Sequence, residues 1–92
     1  MSIDIVHIVD DYEEAVQGMI EEHAPRRFAI FQDYGDQIDG RVAAWGMAFD
    51  DRADILDAGG STWLSTTSPD DVLPRYARAP GVTSRVIWVD TP

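Results

Sequence analysis

The 92 residues include no lysine, no cysteine and no asparagine. Without lysine there is no Walker-type phosphate loop and no Schiff-base chemistry. Without cysteine, thiolate nucleophiles, thiolate metal sites and a disulfide framework are excluded as well. Lysine and asparagine are both encoded by A-rich codons, so a GC-rich genome explains their joint absence more simply than selection on this protein. An aspartate-heavy, lysine-free surface would also suit a high-salt cytoplasm, where self-repulsion is screened. No stretch reads as a leader or a membrane span: Ser2, Ile3 and Asp4 follow Met1 with no basic segment, and the apolar run at residues 5–9 is short and broken by His7. With no cysteine to oxidise, the expected compartment is the cytoplasm.

The charges that are present lie unevenly along the chain. Residues 1–24 carry Asp4, Asp10, Asp11, Glu13, Glu14, Glu21 and Glu22 and no base, while all seven arginines lie from Arg26 onward. The formal net charge of −10 therefore divides into −7 for the first 24 residues and −3 for the rest. An asymmetry of this kind points to a partner or an environment before it points to a reaction. Direct nucleic-acid binding is disfavoured, because it rests on neutralising phosphates and this chain is net repulsive with scattered arginines. Mimicry of a nucleic acid is not disfavoured.

Apolar residues make up 45% of the chain and charged residues 26%, the ordinary proportions of a folded domain. At this length one domain spans residues 1–92, with a single modest core that buries on the order of 65% of the unfolded chain's surface. Residues 2–9 alternate and are rich in β-branched side chains, which predicts a strand. Asp10 then stands as a helix N-cap with Glu13 three residues on, and Tyr12, Val16, Met19, Ile20 and His23 follow at helical spacing, so a helix is expected over residues 10–23, ending before Pro25. Strands are expected at residues 26–34, 41–50, 53–58, 61–67 and 84–90, with Gly59-Gly60 turning the third of these into the fourth. Ser68-Pro69-Asp70-Asp71 marks a second helix start, and Pro74 should kink or shorten that helix.

The resulting order, β-α-β-β-β-β-α-β, predicts an α+β domain: a mostly antiparallel sheet of about five to six strands with two helices on one face. With the hairpin at residues 53–67 counted as an insertion, the order becomes ferredoxin-like.

Few residues offer chemistry. His7 would be a general base buried beside Ile3, Ile5 and Val9, although a satisfied core or sheet-edge histidine is the simpler account. His23 closes the first helix, where an imidazolium complements the dipole. Asp33, Asp36 and Asp39 are spaced wrongly for a calcium loop, with Ile38 and Ala44 where an EF-hand places Gly and Glu. The hydroxyls of residues 61–67 lack a nucleophile elbow. No metal or cofactor pattern emerges. Trp45, Trp63 and Trp88 fall on three expected strands and could line an aromatic pocket, although core packing explains them as well.

Two readings follow. In the first, the chain is a small acidic, non-enzymatic binding protein, an inhibitor, immunity or antitoxin-like protein or nucleic-acid mimic. Its helix 10–23 docks on a basic protein, with Tyr12 as anchor and Glu14, Glu21 and Glu22 as steering charges. In the second, it is a small dimeric ligand-binding protein or cofactor-free enzyme whose pocket is built from His7, Trp45, Trp63 and Trp88.

Overall fold

From residue 26 onward the two-residue alternation of the sequence becomes a sheet. The computed structural model describes the backbone of residues 5–91 and the side chains of residues 11–91. Five strands, β1 (Arg26–Tyr34), β2 (Asp39–Ala48), β3 (Ala53–Asp57), β4 (Trp63–Thr66) and β5 (Val82–Trp88), pair antiparallel in the order β4-β3-β2-β1-β5. The first four run as a meander, and β5 returns to lie along β1.

Register decides which side chains share a face. Phe28 pairs with Gly46 and Ile30 with Ala44, while Gly46 pairs in turn with Ile55 and Ala48 with Ala53. These positions therefore project to one side, where Phe28, Ile30, Ala44, Ala53 and Ile55 are completely buried. Burying Phe28, Ile30 or Ile55 contributes roughly 1.5–3 kcal/mol each. Gly46 is required by this arrangement, since a Cβ there would collide with the Phe28 ring. The small residues of β2 thus make room for an aromatic from the neighbouring strand. Pairing slips by one residue between Ile30 and Phe31, a bulge that leaves Ala43 buried.

A 3₁₀ helix, Pro69–Tyr76, covers this core. Pro69 suits its first position, the Ser68 N–H donates to the Asp71 carboxylate at 3.2 Å, and Pro74 keeps the element short. Val72 and Tyr76 are buried against the sheet. Three hydrogen bonds fasten the element to three strands. The Ser84 hydroxyl donates to the Leu73 carbonyl at 2.6 Å, the Gln32 amide to the Tyr76 carbonyl at 2.8 Å, and the Tyr76 hydroxyl to Asp57 at 3.3 Å. Burial, reinforced by the Asp57 charge, raises the Tyr76 hydroxyl above the usual phenol pKa.

Helix α1 (Ile5–His23) behaves differently. Residues 5–9, expected as the end of a strand, are its first turns, and Asp10 lies inside it rather than capping it. The reason is visible in the spacing: Ile5, Ile8, Val9, Tyr12, Val16, Met19, Ile20 and His23 recur every three or four residues without interruption. Once residues 10–23 are helical, extension toward the N-terminus adds one hydrogen bond per residue fixed, whereas an isolated strand would need a partner. The expectation for residues 2–4 lies outside the described residues. Among those described, the sheet has five strands, and the ferredoxin-like order does not arise.

Nor does α1 share a face of the sheet with the second helix. The chain measures 74 × 25 × 24 Å, with a radius of gyration of 19.4 Å against about 12 Å for a compact domain of this length. A helix of 19 residues is about 28 Å long, and here its length is added to the long axis instead of being folded onto the sheet.

Candidate functional site

Among the described residues two surfaces lack cover. The first is α1 itself. From residue 11 to residue 23 every side chain is exposed except that of Val16, which is half-buried. Tyr12, Met19 and Ile20 keep 67%, 61% and 56% of their surface in solvent, figures expected of polar residues rather than of an apolar stripe. Glu14, Glu21 and Glu22 are exposed as well, and the Gln17 amide donates to Glu21 at 3.2 Å, one turn apart. The structure therefore places Tyr12, Glu14, Glu21 and Glu22 on one accessible element. His23 is exposed in the last turn.

The second surface is the sheet face opposite the 3₁₀ helix. Trp45 pairs with Leu56, and Leu56 pairs with Trp63. Both tryptophans therefore stand on this face, two strand spacings of about 4.8 Å apart, with Leu56 between them. They are 52% and 57% exposed and bound a groove of 290 Å³ that Arg27, Met47, Asp54 and Leu56 complete. Asp54 accepts from the Ser65 hydroxyl at 2.6 Å and lies 3.5 Å from Arg52, so its charge is already engaged.

Trp88 is not part of this groove. It pairs with Phe28 and so projects to the core side, meeting the Phe28 ring edge-on at 5.3 Å under the Arg26 guanidinium, which lies 4.0 Å from its centroid. Of the four expected pocket residues, two come together, one stands behind the sheet, and the side chain of the fourth, His7, lies outside the described residues.

Two ion pairs on the open face have no local sequence signal. Arg85 donates to buried Asp33 through Nε at 2.9 Å and Nη2 at 3.3 Å. Arg27 grips Asp90 three times: its backbone N–H at 2.7 Å and Nε at 3.0 Å reach one carboxylate oxygen, and Nη2 at 2.7 Å reaches the other. These hydrogen bonds hold the Asp90 carboxyl down at about 2 and raise the Arg27 guanidinium. Only alignment of β1 with the end of β5 brings such partners together.

Among the described residues no group of three or more His, Asp or Glu could hold a metal ion, and no helix is long and apolar enough to cross a membrane. The arrangement offers recognition surfaces: an acidic, apolar-striped helix and an aromatic groove. Compared with known proteins, the chain matches no family model, no curated protein and no solved structure.

Proposed function

We propose that this chain is a small non-enzymatic binding protein of the cytoplasm, acting as an inhibitor, immunity or antitoxin-like protein or as a nucleic-acid mimic. In this reading α1 docks on a basic partner protein. The observation that carries it is the exposure of α1 over residues 11–23, which hold five acids and no Lys or Arg. Glu14, Glu21 and Glu22 steer a cationic surface toward the helix, and Tyr12 supplies an aromatic anchor. Complementary charge of this kind acts mainly on the association rate and is screened by salt, while a few desolvated side chains supply most of the affinity.

The test begins with capture of partners from the source lysate at low and moderate salt, followed by kinetics on the captured basic protein. Reversing Glu14, Glu21 and Glu22 to Arg should slow association at low salt by roughly 10-fold or more and flatten its salt dependence. An association rate indifferent to the triple reversal would end the steering reading.

A further inference from the structure

The stripe on α1 and the open face of the sheet are both apolar and both uncovered, and they belong to the same chain. We propose that α1 of one copy lies across the open sheet face of a second copy, and that the exchange is reciprocal, giving a twofold dimer. A sheet with one face on its core ordinarily buries an apolar second face against another layer. Among the described residues that layer is missing, and Trp45, Trp63, Ile87 and Val89 are left exposed.

The dimensions agree. The 19-residue helix is about 28 Å long, and the nine and ten residues of β1 and β2 span about 30 Å. A docked helix about 10 Å wide covers the strip from Trp63 toward Ile87 only in part, so one contact would be a small interface. Two such contacts of about 28 by 10 Å bury on the order of 1,100 Å² in all, just above the roughly 1,000 Å² that a specific association needs.

Connectivity makes the helix reach outward. Only Ala24 and Pro25 separate α1 from β1, and a proline holds the residue before it extended. The helix therefore leaves along the long axis of the molecule instead of turning back over its own sheet.

Charge selects the sheet rather than the helix of the second copy. Pairing two α1 helices would oppose two segments that each carry six acids and no Lys or Arg. The open face instead carries mixed charge: Arg27 and Arg85, whose side chains remain 65% and 51% exposed, are each paired with an aspartate, and Asp54 is engaged by Arg52, so the face opposes an acidic helix far less than a second α1 would. In the exchanged dimer Tyr12, Val16 and Met19 turn to the sheet, while Glu14 and Glu21 stay outward. The proposal does not depend on the partner reading and competes with it at Tyr12, which the dimer covers, leaving the Glu14 and Glu21 side of the helix for any partner.

Sedimentation equilibrium of the purified full chain over the micromolar range is expected to give twice the 10.2 kDa chain mass. Trp63→Glu on the sheet and Met19→Glu on the helix both replace exposed side chains, so each variant keeps its fold by circular dichroism. Each should weaken the dimer at least about thirtyfold. Mixing the two variants restores one intact helix-on-sheet contact, and a measurable heterodimer is expected. A wild-type chain that stays monomeric would overturn the proposal, as would a dimer lost in Met19→Glu but untouched by Trp63→Glu, the signature of helix pairing with helix.

Discussion

The two helices of this protein invert what their sequences advertise. Helix α1 is long, regular and periodic, yet from residue 11 onward it buries nothing beyond half of Val16. The second helix has eight residues, contains Pro74 and forms only a 3₁₀ turn, yet it buries Val72 and Tyr76 and is hydrogen-bonded to β1, β3 and β5. Local regularity and tertiary anchorage are thus separate properties. Periodicity reports which face of a helix is apolar, while anchorage depends on whether the connections let that face reach a surface. The 3₁₀ helix links β4 to β5 and must cross the sheet to do so, whereas among the described residues α1 is joined to the sheet through β1 alone.

The largest expected effect breaks the anchored helix. Tyr76→Ala removes a buried ring and leaves Asp57 without its hydroxyl donor, and a loss of about 3 kcal/mol is expected from denaturant unfolding. Glu14→Ala, on the exposed face of α1, should leave the unfolding free energy within about 0.5 kcal/mol. Similar losses at both positions would show that the helices are equally anchored.

The same contrast explains which elements are legible in the sequence. The bounds of β1 and the start of the 3₁₀ helix at Pro69 were legible, because Pro25, Gly35 and Ser68-Pro69 punctuate the chain locally. Residues 5–9 were not, since an isoleucine and valine run satisfies a two-residue and a three-to-four-residue period at once. The aromatic site was half legible. Alternation puts Trp45, Trp63 and Trp88 each on some face of its strand, but only register shows that Trp88 follows Phe28 to the core side while Trp45 and Trp63 flank Leu56. The single-residue slip at Ile30 and Phe31 shifts the face assignment along β2 and has no mark in the sequence. The Arg27–Asp90 contact spans 63 positions and was equally out of reach.

An intermediate effect sharpens the comparison from the sheet side. Asp33 is buried on the open face, and Arg85 is its cationic partner. Arg85→Ala leaves that carboxylate buried with its charge unpaired, at a cost of about 2 kcal/mol, reduced from the fully buried case because the Arg85 side chain is half in solvent. Asp33→Asn should cost less, since an amide needs no counter-charge and Arg85 can be hydrated. Calorimetric unfolding of the two variants checks this order, and a milder Arg85→Ala would contradict it.

The smallest effect lies at the junction of the two regions. Asp90 clamps Arg27 two residues after Pro25, and the Val89 N–H returns to the Arg27 carbonyl at 3.0 Å, so this contact fixes the first turns of β1 where α1 departs. The Asp90 carboxyl, held at about 2 by the Arg27 hydrogen bonds, lies below its unfolded value of about 3.9. Folding therefore gains from its ionised form above about pH 4, and the gain is lost as pH falls through the interval between about 4 and about 2. Asp90→Asn should be less stable than the wild type at neutral pH, with a gap that closes over this window as both proteins become acid-limited. Because the pair is solvated, the gap should be small and should shrink in salt. Hydrogen exchange locates it: the amides of Arg27 and Val89 should exchange faster in Asp90→Asn while those of Phe28 and Ile30 keep their protection. Uniformly faster exchange throughout β1 would mean that the clamp supports the whole sheet and that the boundary between helix and sheet does not lie at Pro25.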